Sequence, residues 1–139
     1  MPWFDCFDAL ARFPHMETAK DEPMSRHTTF RIGGPAKRFV RPSGTDELAE
    51  LLSLADAEGW PVLLVGNGSN LLVSDGGVDA LVIQTGLLDG VRREGNTLHA
   101  AAGISLARLA VFAQKEGLSG LEFAHGIPGS LGGAVCMNA

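Results

Sequence analysis

A glycine-rich segment follows an apolar run and offers several main-chain amides at one point of the chain. The segment is Gly66-Asn67-Gly68-Ser69-Asn70-Leu71. Two glycines allow a sharp turn, so that consecutive N–H groups can point in one direction and bind phosphate oxygens without a lysine. The segment lacks the Gly-Lys-Ser/Thr ending of a Walker loop, and Leu71 breaks the GxGxxG pattern. An ordinary Gly/Asn turn between strands stays open as the alternative.

A second glycine-rich segment lies near the end of the sequence. Residues 123–139 combine four glycines with Pro128 and several small apolar side chains. This composition is too apolar for a flexible linker, so it predicts a tight loop that enters a helix of small residues. A flat ligand can lie close to such a backbone, and a pyrophosphate can accept hydrogen bonds at the start of the helix. Close helix packing through Gly and Ala is the alternative.

Histidine and cysteine residues give weaker signals. His125 lies beside the second segment and could touch a ligand, but a hydrogen-bonded structural role is favoured. His15, His27 and His99 show no metal-ligand spacing. The sequence has two cysteines, Cys6 and Cys136, without a CxxC motif. We expect two thiols in a reducing compartment.

Three further polar positions are weighed and set aside. Asp75 and Asp79 flank Gly76-Gly77, which predicts turn residues and not an acid/base pair. Ser69 has no His or Asp pattern that would make it a nucleophile.

Composition bounds the class of protein. The chain has 139 residues, 45% hydrophobic and 19% charged, which is typical of one globular domain. Its net charge of −5 and the lack of a basic face argue against nucleic acid. The N-terminus does not resemble a signal peptide, and no apolar run is long enough to cross a membrane. We therefore expect a soluble, cytoplasmic protein that binds neither nucleic acid nor membrane.

Hydrophobic spacing predicts the elements that position these segments. Residues 1–24 are expected to form an arm, with Phe4, Phe7, Leu10 and Ala11 on one helical face and a polar connector between Pro14 and Pro23. A βαβ unit follows, with strands at Lys37–Arg41 and Pro61–Val65. Its helix is predicted to begin at a Ser43 or Thr45 cap, to bury residues 48, 51, 52 and 55, and to end at Gly59. The apolar Pro61–Val65 run indicates a strand covered on both faces, in a parallel, right-handed crossover.

The second half has a different pattern. Leu71–Val73 and Ala80–Ile83 are predicted as short strands on either side of Gly76-Gly77. A hairpin is expected around residues 94–96, followed by a helix from Ser105 to near Gly117. This order predicts an α+β fold with an arm at 1–24, a βαβ half at 25–70 and a mixed half at 71–139.

Three motifs together resemble the UDP-N-acetylenolpyruvoylglucosamine reductases in type, order and spacing. They are residues 27–36 (His-Thr-Thr-Phe-Arg-Ile-Gly-Gly-Pro-Ala), residues 66–72 and residues 126–134. The resemblance covers residues 24–139 and implies a two-part FAD-binding domain of the vanillyl-alcohol-oxidase type. In this resemblance Asn67–Asn70 hold the FAD pyrophosphate, residues 127–134 form a second flavin-contacting loop, and Val135 and Asn138 continue its wall. The implied cofactor-binding residues are Gly66, Asn67, Gly68, Ser69, Asn70, Leu71, Gly126, Ile127, Pro128, Gly129, Ser130, Gly132, Gly133, Ala134, Val135 and Asn138.

The resemblance also implies a reaction and a limit to it. In the family, NADPH reduces FAD, and the reduced flavin passes a hydride to the enolpyruvyl group of a UDP-sugar in peptidoglycan precursor synthesis. The family's substrate domain and its catalytic Ser, Arg and Glu are expected beyond Ala139, so this chain alone is expected to be inactive. Apolar residues such as Ile127, Leu131 and Val135 would then be exposed and could support a homodimer. A non-catalytic flavin- or nucleotide-binding module and a different flavin oxidase on the same fold are the alternatives.

Overall fold

The computed structural model describes Trp3 and residues 7–139 and shows four α-helices and six β-strands in this part of the chain. In chain order the elements are α1 (Phe7–Leu10), β1 (Glu17–Pro23), a 3-10 turn (Met24–Arg26), β2 (Pro35–Arg41), α2 (Thr45–Glu58), β3 (Val62–Val65), β4 (Val78–Gln84), β5 (Val91–Glu94), β6 (Thr97–Ala100), α3 (Leu106–Lys115), a second 3-10 turn (Glu122–Gly126) and α4 (Leu131–Met137). The predicted α+β class is confirmed.

Four strands form one mixed sheet in the order β1-β2-β4-β3. Strands β2, β4 and β3 are parallel, and β1 pairs antiparallel with β2. Leu81, Val82 and Ile83 of β4 are fully buried, because a central parallel strand is covered on both faces. Leu81 and Ile83 pack with Leu51 of α2, whereas Val82 packs in a separate cluster that includes Phe39. The sheet therefore has a core on each face.

Helix α2 forms largely as its sequence predicts. Leu51 and Ala55 are buried, and Leu48 and Leu52 pack against the same core. Gly59 ends the helix in the left-handed conformation, with φ of 70°. The predicted N-cap is wrong, because Gly44 occupies that position without a side-chain cap. Ser43 instead donates its backbone N–H and its hydroxyl to the Glu47 carboxylate, at 2.8 and 3.2 Å.

Several predictions about the sheet are wrong. The polar connector between Pro14 and Pro23 contains the edge strand β1, whose charged side chains are tolerated because an edge strand faces solvent. Strand β3 lies at the opposite edge of the sheet, and its Leu64 is 54% exposed, so β3 is not covered on both faces. Residues Leu71–Val73 form no strand.

The sheet also joins segments that the sequence assigns to different halves. Strand β4 lies between β2 and β3, so the parallel crossover from β2 to β3 skips one strand. Asp79 belongs to β4, where its carboxylate accepts a hydrogen bond from Trp3 Nε1 at 2.9 Å, and it is not a turn residue. The first sheet thus extends to Gln84, beyond the division predicted at residue 70.

In the second half a short hairpin precedes α3, and α3 packs against the second 3-10 turn and the start of α4. Strands β5 and β6 pair around Gly95-Asn96, which confirms the predicted hairpin. The Ser105 hydroxyl caps α3 by accepting the Arg108 N–H at 3.1 Å. Leu106 and Ala110 of α3 pack against Ala124, and the partly buried Ile127 and Leu131 join this cluster. The second glycine-rich segment is thereby fixed to α3.

The N-terminal arm is helical over Phe7–Leu10, and Leu10 is buried against the first core. Phe4, which is predicted on the same helical face, and Cys6 lie outside the described residues. Ala11 is exposed and follows the end of the helix, so the predicted apolar face does not extend to it.

Candidate functional site

The first glycine-rich segment leaves the carboxyl end of β3 and turns back beneath residues 27–29. The Thr29 N–H donates to the Gly68 carbonyl at 3.1 Å. Gly68 has φ of 74°, and a Cβ at this position would overlap with the His27 carbonyl. Only glycine meets both conditions, since the left-handed conformation disfavours residues that carry a Cβ. This explains why the turn has its second glycine here.

The main-chain amides of this segment are free. Within the part of the chain that the structure describes, the N–H groups of residues 67–71 donate no hydrogen bond. The Gly66 carbonyl accepts a hydrogen bond from Gln84 Nε2 at 3.0 Å, and the Gly68 carbonyl accepts one from the Thr29 N–H. In a trans peptide the N–H points opposite to the carbonyl, so the Asn67 and Ser69 amides point away from these partners. The segment is a set of unpartnered donors that suits an anion.

The second segment is anchored by backbone bonds at the start of α4. Leu106 N–H donates to the Gly129 carbonyl at 3.0 Å, and Leu131 N–H donates to the Ile104 carbonyl at 2.8 Å. Gly129 has φ of 124°, which a residue with a Cβ would not adopt without strain. These bonds attach the segment to the residues at the start of α3.

The two segments are in direct contact. A Cβ on Gly66 would overlap with the Ser130 hydroxyl, and a Cβ on Gly129 would come within 2.9 Å of Ser69 Oγ. The Ser130 hydroxyl caps α4 by accepting the Gly133 N–H at 3.2 Å. The segments therefore line one shared cavity of about 610 Å³.

Most of the predicted cofactor-binding residues line this cavity. Those that do are Gly66, Asn67, Gly68, Ser69, Asn70, Leu71, Ile127, Pro128, Gly129, Ser130, Gly132, Gly133 and Ala134. Gly126, Val135 and Asn138 do not. Gly126 belongs to the preceding 3-10 turn, Val135 lies on the outer side of α4 and is 74% exposed, and Asn138 ends α4 in the left-handed conformation.

Seven lining residues have no counterpart among the sequence predictions. They are Leu64, Val65, Thr85, Ala102, Cys136, Met137 and Ala139. Cys136 and Met137 lie four residues after Gly132 and Gly133 in α4, so they are close to the face that these glycines present to the cavity. Val65 is the last residue of β3, and Thr85 directly follows β4. Both therefore lie at the carboxyl ends of parallel strands, where ligands bind in open sheets. No feature of the sequence indicates Ala102.

The cavity wall is mostly apolar and carries no charged side chain among its described lining residues. Leu64 and Met137 are 54% and 59% exposed at its margin. An anionic group in this cavity would therefore be neutralised by oriented N–H dipoles and not by Lys or Arg. The arrangement suits a ligand that has an extended apolar part and a compact anionic part.

A second cavity, of about 480 Å³, lies between α3 and the following turn and includes Glu122 and His125. His125 thus faces a different cavity and is exposed, and its side chain forms no hydrogen bond in the described part of the chain, so the favoured hydrogen-bonded role is wrong. The Glu122 backbone N–H and the Gly120 N–H hold the pKa of the Glu122 carboxyl below its usual value. No cluster of three or more His, Cys, Asp or Glu residues that could bind a metal occurs in the described ranges.

Two of the other histidines, His27 and His99, have structural partners. His27 stacks on Phe39 with ring centroids 4.1 Å apart, and its Nε2 lies 3.1 Å from the Glu22 carboxylate. His99 Nε2 lies 3.1 Å from the Glu94 carboxylate.

A sheet-plus-hairpin fold with a cavity walled by two glycine-rich segments defines a flavin-binding domain of the α+β type. Comparison with known families makes this specific: the model described as "FAD binding domain" matches residues 36–139, and the chain belongs to this family. FAD is its cofactor, and the vanillyl-alcohol-oxidase type of fold is confirmed.

Individual relatives narrow the resemblance further. The UDP-N-acetylenolpyruvoylglucosamine reductase of Moorella thermoacetica is 52% identical over 89% of this chain and 41% of its own length. The crystal structure of the corresponding reductase from Thermus caldophilus superposes with a TM-score of 0.67 at 36% identity, over 90% of this chain and 42% of that one. An alkyldihydroxyacetonephosphate synthase shares the fold alone, with a TM-score of 0.68 at 22% identity over 96% of this chain and 28% of its own. The chain spans about two fifths of the length of the curated relatives it matches.

Helices that could cross a membrane are not found within the residues that the structure describes.

Proposed function

We propose that this chain is the FAD-binding portion of a reductase that converts UDP-N-acetylglucosamine enolpyruvate to UDP-N-acetylmuramate, with NADPH as the reductant, in peptidoglycan precursor synthesis. The observation that carries the proposal is the shared cavity between residues 66–71 and 127–134, with its row of unpartnered amides. The names and identities of the relatives support the particular reaction.

The residues of the cavity fit FAD by their chemistry. The free N–H groups of Asn67–Asn70 would hold the diphosphate, while Ile127, Leu64 and Met137 would pack against the flat apolar part. Glycines at 66 and 129 let the two backbones approach each other, so the donors and the apolar wall meet in one place. When bound, FAD supplies hydride transfer, and the chain contributes binding, orientation and exclusion of water.

The whole reaction needs more than the cavity. Since the chain spans 41% of the length of the first relative, we expect these 139 residues to bind FAD without turning over the UDP-sugar. We also propose a cytoplasmic enzyme that acts in cell-wall biogenesis, and so in cell shape and division, without nucleic-acid or membrane partners. These parts of the proposal rest on the resemblance and on the composition.

A homodimer is part of the same proposal. Val135 lies outside the cavity and is 74% exposed, whereas Ile127 and Leu131 are half-buried against α3. An exposed apolar surface favours a partner, and we expect a second copy of the chain to cover it. Sedimentation that gives a monomer at all concentrations would reject this part.

The test of the function has two arms. The purified chain is titrated with FAD and its absorbance spectrum is recorded; a saturable change in the flavin bands supports the cofactor site. A protein extended to the length of the relatives is then assayed for NADPH oxidation. Oxidation that depends on the enolpyruvyl nucleotide supports the reductase. Flavin binding without that dependence in the extended protein favours a non-catalytic module or a different flavin oxidase.

A further inference from the structure

The side chain of Gln84 forms hydrogen bonds with three groups at the edge of the cavity. It is the last residue of β4, directly opposite Val65 of β3. Its Nε2 donates to the Gly66 carbonyl at 3.0 Å. Its Oε1 accepts from Arg41 Nε at 2.9 Å and from the Gly86 N–H at 3.0 Å. All the polar atoms of one amide are thus engaged where three parallel strands end.

The partners fix the orientation of this amide. Two donors face Oε1 and one carbonyl faces Nε2, so a flipped amide would oppose donor to donor and acceptor to acceptor. Arg41 is itself held by the Glu17 carboxylate at 3.1 Å. Gly86 leaves just enough space, since a Cβ there would lie 2.8 Å from Gln84 Nε2. The geometry therefore presents Gln84 Nε2 to the Gly66 carbonyl in one defined position.

Holding this carbonyl has a consequence on the other side of the peptide plane. The Gly66 carbonyl and the Asn67 N–H belong to one trans peptide and point in opposite directions. With the carbonyl bound to Gln84, the Asn67 N–H is directed away from the sheet edge, and Asn67 lines the cavity. Without this bond the peptide could rotate and withdraw the donor.

We propose that Gln84 is a positioning residue for cofactor binding, which orients the Gly66–Asn67 peptide so that the Asn67 amide meets the FAD diphosphate. Gln84 is not among the residues lining the cavity and acts through the backbone of the first glycine-rich segment. The inference rests on the proposed assignment of residues 66–71 to the diphosphate.

Two variants disturb this bond in different ways. Gln84→Glu keeps an acceptor for Arg41 and Gly86 but places a second carboxylate oxygen against the Gly66 carbonyl. Gly86→Ala keeps Gln84 but pushes its amide aside, and Gly86 has no positive φ that would make alanine strained. Gly90→Ala is the matched control, because nothing lies within 4 Å of a Cβ there.

The experiment measures the FAD dissociation constant, the ³¹P NMR signals of bound FAD and the unfolding midpoint of the FAD-free protein. We expect Gln84→Glu and Gly86→Ala to weaken FAD binding about tenfold, as loss of one oriented donor predicts. We also expect both variants to shift the ³¹P signals, with midpoints close to that of Gly90→Ala.

Two results would overturn the positioning role. One is wild-type FAD affinity in both variants. The other is weakened binding that follows a lowered unfolding midpoint, with unchanged ³¹P signals. If the wild-type chain itself binds no FAD, the proposed function fails together with this inference, and the wild-type titration separates that case from the first two.

Discussion

Gly66 lies so close to the Ser130 hydroxyl that a Cβ on Gly66 would overlap with Oγ. These residues are 64 positions apart in sequence (130 − 66), and each belongs to a different glycine-rich segment. Both residues line the shared cavity. The contact depends on two features from different segments. Gly66 has no side chain, and the Ser130 hydroxyl is held in place by its capping bond from the Gly133 N–H.

Gly66→Ala is predicted to weaken FAD binding about tenfold, because the added methyl must either displace the Ser130 hydroxyl from its capping bond or move the two segments apart. Gly66 has no positive φ, so backbone strain does not contribute. Titration with FAD measures the effect, with Gly76→Ala as control, because a Cβ there would make only an ordinary contact with Ser74 Oγ at 3.9 Å.

The double variant Gly66→Ala with Ser130→Ala tests whether the loss of affinity comes from the clash between the new methyl and the Ser130 hydroxyl. Removal of the hydroxyl leaves only the Ser130 Cβ, at 3.4 Å, near the new methyl. Affinity should therefore recover in part, although loss of the helix cap costs about 1 kcal/mol of stability. Equal affinities for the wild type and Gly66→Ala would show that the contact does not shape the cavity.

Gly68→Ala is predicted to lower the free energy of unfolding by about 2–4 kcal/mol. Left-handed strain accounts for roughly 1 kcal/mol of this, and the clash with the His27 carbonyl and Thr28 Cα for the rest. Gly59→Ala is the matched control, since its φ of 70° is close to 74° at Gly68 but no atom lies within 4 Å of a Cβ. Denaturant unfolding of both variants measures the difference, and equal losses would refute the packing argument.

Leu51→Ala should destabilise the fold by about 2–5 kcal/mol, because Leu51 is fully buried between α2 and the sheet. Leu72→Ala, at a residue that is 70% exposed, should change the free energy of unfolding by less than about 0.5 kcal/mol. Chemical unfolding of the two variants tests which leucine belongs to the core. A larger loss at Leu72 would contradict the packing described for α2.

The Glu122 carboxyl is predicted to titrate below its ordinary pKa, because it accepts hydrogen bonds from its own backbone N–H and from that of Gly120. A folded pKa below the unfolded one adds stability above the unfolded pKa, and this contribution is lost as pH falls through the folded pKa. An NMR titration of the side-chain carboxyl carbon checks the direction. Glu122→Gln should remove this pH-dependent contribution to stability. A titration midpoint of the Glu122 carboxyl at or above its ordinary pKa would contradict the described hydrogen bonds.

The sequence predicts the helices and the two ligand segments better than the order of the strands. Helix α2 and helix α3 carry clear 3.6-residue spacing and a glycine or serine at one end, which are local signals. Strand β1 carries charged residues along an exposed edge, so its pairing with β2 is decided by the neighbouring strand and not by its own pattern. The insertion of β4 between β2 and β3 is likewise a tertiary property.

The site shows the same division between local and distant causes. The glycines within residues 66–71 and 129–133 indicate that the backbone is approached closely there, and the structure brings both segments together. Ala102 comes to the cavity only because α4 packs against it, with the Gly132 N–H donating to its carbonyl at 2.8 Å. Gln84 has no recognisable motif, since its role depends on three partners from other elements.

The central claim is that the unpartnered amides of residues 67–71 and the apolar wall formed by residues 127–134 bind FAD together in one cavity. The most direct test is a ¹H–¹⁵N NMR titration of the chain with FAD, followed residue by residue. The account predicts saturable shifts of the amides of residues 67–71 together with those of residues 129–134, at one common dissociation constant. Shifts confined to one segment, or to the cavity beside Glu122 and His125, would contradict it.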